Sequence, residues 1–573
     1  MSVIKFFVGI FPKKAREKMQ RQLWLHNLYS KSLKNSGLFY GYPPPHILQK
    51  LYLKNIIEQH RRINNQVDIT ANNREINCLV LLTGRLNADI LTIKNVISLV
   101  GEGKLFLTGE DELVRKYCDK YSLTNKYDVR HIKQQSGTLF SSRLLVLRGG
   151  DQLHCGALSM FSNLLSNVCE ESVTYCDVDS LDKSGKRHRA EFYPDLQLST
   201  GYVKTGIVID GNQTIKDLVY FAKQHNQSSM IALWMSKLYL EKNNVEINHI
   251  AYSLVHQTLP PSYVWTSELM KLSHHQLNIC KGGSEQIAKI NWKHSSNPLA
   301  SLIIPTKNAK LLVQSCIESI LSKTTYEHYE ILLIDNNSDE PEALEYFEFL
   351  QNAQPNVRVL RYPHLFNYSA INNFAVNHAK GEIIGLINND VEVISPNWLT
   401  DMVGHAQRVD IGCVGAKLIY PDNRIQHAGV VMGYGGGAGH AHKYFPRNHS
   451  GYLHRLVATN NFSAVTGACL LVKKSVYELV NGLNERNLNV AFNDVDFCLK
   501  VLELGFRNIY CAEAELYHYE SVSRGFEDTK EKQQRFQSEL RYLRTTWSNY
   551  IIHDPAYNPN LTLRRENFSI KES

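Results

Sequence analysis

Three segments of the sequence place polar side chains directly after an apolar run. They read "SLIIPTKN" (301–308), "ILLIDNNS" (331–338) and "IIGLINND" (383–390). Apolar runs of this length, rich in isoleucine and leucine, are typical of strands buried on both faces. In an open α/β sheet, ligands lie outside the carboxyl ends of the strands. The three polar clusters are therefore predicted to meet at one edge and to form a shared cleft.

The first two clusters have the chemistry of a nucleoside site. Pro305 lacks a backbone N–H, so the strand is predicted to end there and to open a loop at Thr306. The carboxylate of Asp335 can accept hydrogen bonds from a nucleobase N–H or a ribose hydroxyl. The alternative is that Asp335 only turns the chain before Asn337.

The third cluster, Asn388-Asn389-Asp390, suits a cation. A hard divalent cation prefers oxygen ligands and needs one or two carboxylates when phosphates supply the rest, so Asp390 is predicted to hold Mg²⁺ or Mn²⁺ against a diphosphate. An Asn-Asn-Asp turn is the alternative. His518, at the end of the strand-like "AELYH", would supply a nitrogen ligand beside such a site, although a histidine there is often a surface residue. Arg524 could bind phosphate oxygens through two parallel hydrogen bonds.

A helix is predicted over "AFNDVDFCLKVLELG" (491–505), which has a polar start and a glycine stop. Asp494 and Asp496 are two residues apart and point in different directions, so at most one faces the cleft. Asp494 is either an N-cap or dipole partner, or a general base that takes a proton from an attacking hydroxyl. Spacing alone favours the cap.

Two further motifs are weaker. The segment "GYGGGAGHAHKYF" (433–445) lacks the GK[ST] of a phosphate-binding loop, so a mobile flap over the cleft is predicted instead. His427, His440 and His442 have no cysteine or carboxylate at ligand spacing, which argues against structural zinc.

Composition limits the class of protein. A chain of 573 residues is too long for one core, and its 43% hydrophobic and 21% charged residues are ordinary for a soluble protein. The net charge of +8 is too small to indicate nucleic-acid binding, but it suits an anionic small molecule or an anionic membrane surface. The 11 cysteines occur singly, without a CxxC pair, which predicts reduced thiols and a cytoplasmic location.

The sequence contains no apolar run long enough for a membrane span. Lys5 interrupts the apolar start and no small-residue cleavage site follows, so no signal peptide is predicted. The segment "KKAREKMQRQLW" (13–24) is predicted to be a basic helix, either solvated or lying peripherally on the inner face of the cell membrane.

The two halves of the chain share an order of motifs. Residues 79–99 parallel 301–321, "LLVLRGGDQL" (144–153) parallels "IGLINNDVEV" (384–393), and "HIAYSLVHQ" (249–257) parallels "CAEAELYHYE" (511–520). Alternating strand and helix patterns predict an α/β fold with largely parallel sheets. The predicted units are a helical N-terminal extension (1–75), a first α/β domain (76–260), a linker (261–297), a second α/β domain (298–525) and a C-terminal helix with a polar tail (526–573).

These segments, together with "FNYSAINNFAVNHAKGE", "AKLIYPDNRIQHAGVV" and "AVTGACLLVKKSVYELVNGLNE", resemble glycosyltransferase family 2. More closely, they are similar to bacterial O-antigen and rhamnan-type enzymes with two tandem family 2 domains. The resemblance is dense over the second half and weak over residues 76–257, where "YCDVDSLDKSGKRHRAEFYPDLQLSTGY" is similar to the first-domain signature.

The resemblance implies tandem GT-A-like domains and an inverting, metal-dependent transferase. Its donor would be a UDP-, dTDP- or GDP-linked hexose or rhamnose, and its acceptor a surface glycan or a lipid-linked precursor. Asp494 would be the catalytic base, and Asp390 and His518 the ligands of Mg²⁺ or Mn²⁺, with Asn388 in place of the first acid of a DxD motif. The implied donor-binding residues are Pro305, Thr306, Asn308, Asp335, Asn337, Asn373, Asn388, Asn389 and Arg524, and the implied acceptor-binding residues are Trp398, His427 and Gly467.

The first half departs from this pattern. Its metal motif has Arg148 and Gly149 where polar or acidic residues belong, and a cation there would repel Mg²⁺. The segment "HNQSSMIALWMSKL" (225–238) has no carboxylate, although Asp151 and His256 are interpreted as retained metal ligands. The first domain is therefore predicted to be a non-catalytic scaffold or acceptor-binding module, and replacing Asp151 is predicted to leave transfer intact.

Two other functions remain. One is a non-catalytic glycan- or nucleotide-binding partner of other transferases, which would bind a nucleotide-sugar without turnover. A nucleotidyltransferase is disfavoured because "PTKNAK" lacks a glycine-rich signature after the first strand.

Overall fold

The computed structural model describes residues 45–66, 76–100, 105–122, 129–132, 143–165, 171–180, 191–225, 228–241, 245–259, 263–272, 274–293, 296–519 and 529–571. Arg524 and the predicted basic helix over residues 13–24 lie outside these ranges. Within them, no helix combines the length and hydropathy that a membrane crossing requires.

The first half of the described chain folds around one eight-stranded sheet, and a separate two-stranded hairpin follows it. Its elements are α1 (Pro45–Gln66), β1 (Ile76–Leu81), α2 (Leu86–Val100), β2 (Leu105–Thr108), α3 (Asp111–Ser122), β3 (Val129–His131), β4 (Arg143–Arg148), β5 (Asp151–Leu153), α4 (Ala157–Leu165), β6 (Ser172–Ser180), α5 (Pro194–Thr200), β7 (Ile207–Asp210), α6 (Asn212–Gln224), α7 (Met230–Leu240), β8 (Glu246–Gln257), α8 (Trp265–Leu269), β9 (Leu277–Lys281) and β10 (Ala288–Trp292).

The second half folds around a ten-stranded sheet and a second hairpin. Its elements are β11 (Ala300–Thr306), α9 (Lys310–Lys323), β12 (Tyr329–Asp335), α10 (Pro341–Ala353), β13 (Val357–Arg361), α11 (Tyr368–His378), β14 (Ile383–Ile387), β15 (Val391–Val393), α12 (Trp398–Ala406), β16 (Ile411–Ile419), β17 (Ile425–His427), β18 (Val430–Met432), β19 (Ala438–His440), β20 (Asn460–Phe462), β21 (Cys469–Lys473), α13 (Lys474–Leu479), α14 (Asn493–Glu503), β22 (Arg507–His518), α15 (Lys530–Thr546) and α16 (Ser548–Ile552).

The two sheets repeat one topology. The first has the order β3-β2-β1-β4-β7-β6-β8-β5, and the main path of the second has the order β13-β12-β11-β14-β21-β16-β22-β15. Corresponding neighbours also run in the same sense: β1 and β11 each lie between two parallel partners, whereas β7 and β21 pair antiparallel with β4 and β14. The mixed α/β fold is confirmed, and the shared order matches the paired sequence motifs.

The second sheet is buried on both faces, as its apolar strands predict. All five residues of β14 are buried. Helices α9, α10 and α12 pack on one face, while α11, α13, α14 and α15 pack on the other. Gly385 in β14 allows this packing, because a Cβ atom there would lie 2.8 Å from Leu302 Cδ2.

Two segments predicted as a linker and a polar tail are parts of the packed structure. Within the predicted linker, Trp265 and Ile290 are buried in the core of the first half. Beyond α15, Leu561 and Phe568 are buried against the second half. Asn558 in the same segment donates hydrogen bonds to Asp177 of β6. The C-terminal residues therefore connect the two halves.

Candidate active site

The carboxyl ends of β11, β12 and β14 bring the three polar clusters to one edge of the second sheet. β11 lies between the other two strands and is parallel to both, and Thr306 is level with Asp335. Asn389 Nδ2 donates a hydrogen bond of 3.0 Å to Thr306 Oγ1, which joins the first cluster to the third. The strand does not end at Pro305 as predicted, because a single missing N–H removes only one possible hydrogen bond and the pairing continues through Thr306.

Asp390 and His518 meet at this edge because β15 pairs antiparallel with β22. Asp390 Oδ1 lies 3.1 Å from His518 Nε2, and both side chains are almost completely buried. Within the described residues, neither Asp390 Oδ1 nor His518 Nδ1 has a hydrogen-bond partner. Asn388 Nδ2 lies 3.3 Å from His518 Nε2.

This pair fits a divalent cation. A buried carboxylate oxygen that accepts no hydrogen bond is costly, and a cation would remove that cost. Two neighbouring ligands of an octahedral ion at about 2.1 Å are about 3 Å apart, which matches the separation of the two atoms. In the described ranges, no group of three or more His, Cys, Asp or Glu side chains could hold a metal. A cation at Asp390 and His518 would therefore take its remaining ligands from a substrate or from water.

Asp494 lies at the start of α14, where its carboxylate is held by backbone N–H groups. Asp494 Oδ2 accepts a hydrogen bond of 2.9 Å from the Gly467 N–H, and Oδ1 accepts one of 2.8 Å from the Val495 N–H. Burial raises the pKa of Asp494, while these donors act in the opposite direction. The N-cap residue of the helix is Phe492, so Asp494 is not the cap, but it lies in the first turn, where a role as dipole partner stays open. A carboxylate whose pKa is raised towards neutrality is a stronger general base.

The second carboxylate of the helix has a structural role. Asp496 is completely buried and accepts a hydrogen bond of 2.9 Å from Trp547 Nε1. Its other oxygen lies 2.7 Å from Lys500 Nζ. Of these two aspartates, only Asp494 therefore remains available for chemistry.

Tyr368 connects the two parts of the site, and the sequence reasoning did not single it out. Its hydroxyl donates a hydrogen bond of 3.0 Å to the Gly467 carbonyl and lies 3.4 Å from Asn388 Oδ1. Gly467 in turn holds Asp494. Tyr368 belongs to the quoted motif "FNYSAINNF", but only the fold shows that the first residue of α11 reaches this edge.

Comparison with known families decides the identity of this segment. Residues 301–480 match the model described as "Glycosyl transferase family 2". This segment is a glycosyltransferase family 2 domain. It contains Asp390 and Gly467, whereas Asp494 and His518 follow the matched residues.

Two curated relatives match most of the chain. The chain is 38% identical over 463 residues to "Uncharacterized protein y4gI" of Sinorhizobium fredii and 31% identical over 424 residues to "O-antigen biosynthesis protein RfbC" of Myxococcus xanthus. These alignments cover 76% and 69% of this chain, but only 51% and 32% of the two relatives. The chain therefore spans about half of the length of the first relative and about a third of the second.

Among solved structures, "Mannosyltransferase PcManGT from Pyrobaculum calidifontis in complex with GDP-Man and Mn2+" aligns with 48% of this chain and 69% of its own. The identity is 14% and the TM-score is 0.33.

Two predicted acceptor residues of the family 2 domain are buried, so these predictions are wrong. Trp398 is 0% exposed in the core, and its indole N–H donates to Thr324 Oγ1. His427 is also 0% exposed, and its Nδ1 lies 2.8 Å from His440 Nδ1. A side chain without exposed surface cannot contact an acceptor. Gly467, the third predicted acceptor residue, is buried, and its N–H donates a hydrogen bond to Asp494 Oδ2.

Asn373 is held by the protein itself. Its Nδ2 donates to the Leu483 carbonyl and to Glu485 Oε1, while its Oδ1 accepts from the Leu483 N–H and the Tyr477 hydroxyl. All of its amide hydrogen-bonding capacity is used. Asn373 therefore fastens α11 to the loop before α14, and its contact with a donor stays a prediction.

Asn308 and Asp335 shape the side of the cleft that follows β11 and β12. Asn308 Oδ1 accepts from the backbone N–H groups of residues 339 and 340, which fixes the loop after β12. Asp335 Oδ1 accepts from the Ser338 N–H, and Oδ2 accepts a hydrogen bond of 3.0 Å from Arg361. Asp335 therefore turns the chain, as the alternative interpretation held. Asn337, with a φ of 57°, continues this turn.

The glycine-rich segment 433–445 is not the predicted flap. It forms the β18–β19 hairpin, and its Gly436 carbonyl accepts a hydrogen bond from Arg544 of α15. His442 is completely buried against Phe568. The segment is therefore fixed by the C-terminal residues.

The strand register corrects the comparison between the two halves. In the second sheet, Val391 lies opposite His518, so Asp390 is the residue just before the paired position. In the first sheet, Asp151 lies opposite Gln257. Asp151 thus corresponds to Val391 rather than to Asp390, and Gln257 corresponds to His518.

The first half therefore has no counterpart of the candidate cation pair. Gly150 takes the place of Asp390, and the interpretation of Asp151 and His256 as retained metal ligands is wrong. Asp151 instead accepts hydrogen bonds from the Arg148 N–H and the Thr205 hydroxyl. The corresponding helix α7 has no acidic residue in its first turn.

Proposed function

We propose that the second half of the chain, residues 298–525, is an inverting glycosyltransferase. It moves a hexose or rhamnose from a UDP-, dTDP- or GDP-linked donor to a hydroxyl of a surface glycan or its lipid-linked precursor. The observation that carries this proposal is the placement of the Asp390–His518 pair and the Asp494 carboxylate at one sheet edge, linked through Tyr368.

Each part of the edge has a task in this reaction. The loops at Thr306 and Asp335, with Asn337 and Asn389, bind and orient the nucleoside. Asp390 and His518 would hold Mg²⁺ or Mn²⁺, which supplies positive charge for the departing diphosphate.

Asp494 acts on the acceptor. Its carboxylate accepts the hydroxyl proton while the acceptor oxygen attacks the anomeric carbon on the face opposite the diphosphate. The new carbon–oxygen bond forms as the bond to the diphosphate breaks, and a single displacement inverts the anomeric centre. The Gly467 N–H keeps Asp494 Oδ2 in place during this transfer.

The acceptor class and the location belong to the same proposal. The name of the Myxococcus xanthus relative supports a surface polysaccharide as the product. The described cysteines are all free thiols, which supports a reducing cytoplasmic location. Contact with the inner face of the membrane, through residues 13–24, remains a prediction.

A donor panel tests the proposal. Purified protein is incubated with UDP-, dTDP- and GDP-sugars in the presence of Mn²⁺, Mg²⁺ or EDTA, and the released nucleoside diphosphate is measured. We expect turnover of one donor class that EDTA abolishes and that Asp494→Asn lowers by about 10²- to 10⁴-fold.

The control is Glu348→Gln, which changes an exposed carboxylate on α10 and should behave as wild type. Wild-type turnover by folded Asp494→Asn protein would eliminate the base assignment. Donor binding without turnover by the wild type would favour the non-catalytic partner instead.

A further inference from the structure

A cavity of about 880 Å³ lies between the two halves of the chain. One wall comes from the first half, through α5, α7 and β8, and from the hairpin strand β10. The other wall comes from residues 404–410 and the start of β22. Its volume falls within the roughly 300–1,000 Å³ of sites that bind organic ligands, and such sites often lie at domain interfaces. The lining residues used below are Phe192, Tyr239, Asn248, Trp292, Arg408 and Arg507.

This cavity is separate from the candidate active site. Arg507 begins β22 and lines the cavity, whereas His518 ends the same strand at the active-site edge. Twelve residues of extended strand place these two ends roughly 36 Å apart. A ligand in the cavity therefore cannot be the sugar that reacts at Asp494.

A buried charge cluster fixes the wall of the cavity. Arg408 forms an ion pair of 2.5 Å with Asp195 from the first half and stacks on the Trp292 ring with its guanidinium carbon 4.2 Å from the centroid. Asp410 pairs with both Arg408 and Arg507. The two arginines are therefore balanced by two carboxylates, so this wall has little net charge to attract a phosphorylated ligand.

The cavity combines aromatic surface with a polar side chain. Phe192, Tyr239 and Trp292 are all partly exposed. Asn248, which is partly exposed, adds a polar side chain to the lining. An aromatic surface beside a polar side chain suits an uncharged organic ligand that has both apolar and hydrogen-bonding groups.

A carbohydrate has the complementary surface. A sugar ring offers an apolar C–H face to an aromatic side chain, and its hydroxyl groups form hydrogen bonds with polar side chains. It is also uncharged in most of its forms, which agrees with the balanced charges of the wall. A nucleoside diphosphate would need a cation or unpaired positive charge instead.

We propose that this cavity binds a short stretch of a saccharide chain, at a distance from the reacting end. The inference rests on the proposed function, because a transferase that extends a glycan gains affinity from holding the chain at a second place. It also gives the first half of the chain a task, since that half supplies one wall of the cavity and no cation pair.

The test is binding of purified full-length protein to an array of immobilised bacterial O-antigen and capsular oligosaccharides. The wild type should bind a subset of the array, and both Trp292→Ala and Asn248→Leu should bind that subset about tenfold or more weakly. Tyr220→Ala is the matched control, because Tyr220 is an aromatic residue 65% exposed outside the cavity. Unfolding temperature is measured for every variant, and Asn248→Leu serves as the polar variant if Trp292→Ala is unstable.

Asp494→Asn separates this inference from the proposed function. It should lose transfer but keep the Trp292-dependent binding. Array binding that is absent, or that Trp292→Ala and Asn248→Leu leave unchanged, would overturn the saccharide site. Binding that UDP-, dTDP- or GDP-sugars displace completely would also overturn it, because the ligand would then occupy the donor site. If Asp494→Asn turns over normally while the cavity variants lose binding, the base assignment fails and the saccharide site stands.

Discussion

Asp494 and Asp496 show how two like residues on one helix acquire different roles. The first carboxylate lies at the cleft and accepts hydrogen bonds from backbone N–H groups, whereas the second is enclosed by Trp547 and Lys500. Burial raises the pKa of Asp494 above that of an ordinary aspartate. The surroundings, and not the residue type, therefore make one of them suitable as a base.

This raised pKa predicts the acid limb of the pH profile. Asp494 accepts a proton only when it is ionised, so kcat should fall as the pH drops through the pKa of Asp494. Because that pKa is raised, the fall should begin at a higher pH than for an ordinary aspartate near pH 3.9. The measurement is kcat against pH at saturating donor.

The residual activity of Asp494→Asn provides the comparison for this profile. It should lack the acid limb, because the variant has no carboxylate at this position. An unchanged limb in Asp494→Asn would assign the ionisation to another group.

At the scale of elements, α11 positions the site through contacts with the segment before β21 and with the loop before α14. Tyr368 at its start touches the Gly467 carbonyl, and Asn373 holds the backbone at Leu483 and the side chain of Glu485. The helix therefore acts on Asp494 through its neighbours.

The variant Asn373→Ala distinguishes positioning from donor binding. It removes four hydrogen bonds, which should lower the free energy of unfolding by about 1–3 kcal/mol. We expect kcat to fall because Tyr368 and Asp494 lose support, while the KM for the donor stays unchanged. Asn352→Ala, an exposed asparagine on α10, is the control. A raised KM with unchanged kcat would favour the original donor-binding prediction.

For Asp151, at the edge of the first sheet, the raised pKa predicts an effect on stability rather than on turnover. Burial raises the pKa of Asp151 to about 6, so the folded state binds this proton more tightly than the unfolded state does. The ionised carboxylate therefore destabilises the fold above about pH 6, by up to about 3 kcal/mol, and this cost fades as the pH falls towards 4.

The variant Asp151→Asn should change the stability of the protein but not its turnover. Relative to wild type, it should unfold at a higher urea concentration at pH 8, with the difference shrinking near pH 4. Its kcat should remain within about twofold, because Asp151 does not correspond to the candidate cation ligand Asp390. Near-complete loss of turnover with the fold preserved would contradict this, and Asp390→Asn provides the inactive reference.

At the scale of the whole molecule, buried polar contacts join the two halves. Asp195 of α5 pairs with Arg408, and Asn461 donates a hydrogen bond to the same carboxylate. Burial alone would raise the pKa of Asp195, but Arg408 and Arg507 outweigh this effect and hold it below the ordinary value. The halves are therefore expected to unfold as one cooperative unit.

Breaking the Asp195–Arg408 pair tests whether the two halves unfold together. Asp195→Asn leaves the buried Arg408 with only part of its negative surroundings, which should cost about 3 kcal/mol in urea unfolding. Glu58→Gln removes the exposed Glu58–Arg62 pair and should cost about 0.5 kcal/mol or less. Two separate unfolding transitions in the wild type, or equal effects of the two variants, would contradict the coupling.

The sequence by itself determined the strands, their polar ends and the identity of the candidate cation and base residues. Apolar runs such as "IIGLI" specify buried strands locally, and parallel strands necessarily present their ends at one edge. The residues Asp390, Asp494 and His518 were therefore within reach of pattern reasoning together with the family resemblance.

Only the tertiary structure decided which of the predicted side chains are exposed at the cleft. Trp398 and His427 have residue types that suit an acceptor site, yet both are enclosed by segments distant in sequence. Register is also a tertiary property: a shift of one residue moves Asp151 away from the position of Asp390, and no local signal in the sequence reports it. The cavity around Trp292 and Arg408 exists for the same reason, because its walls come from two halves of the chain that meet only on folding.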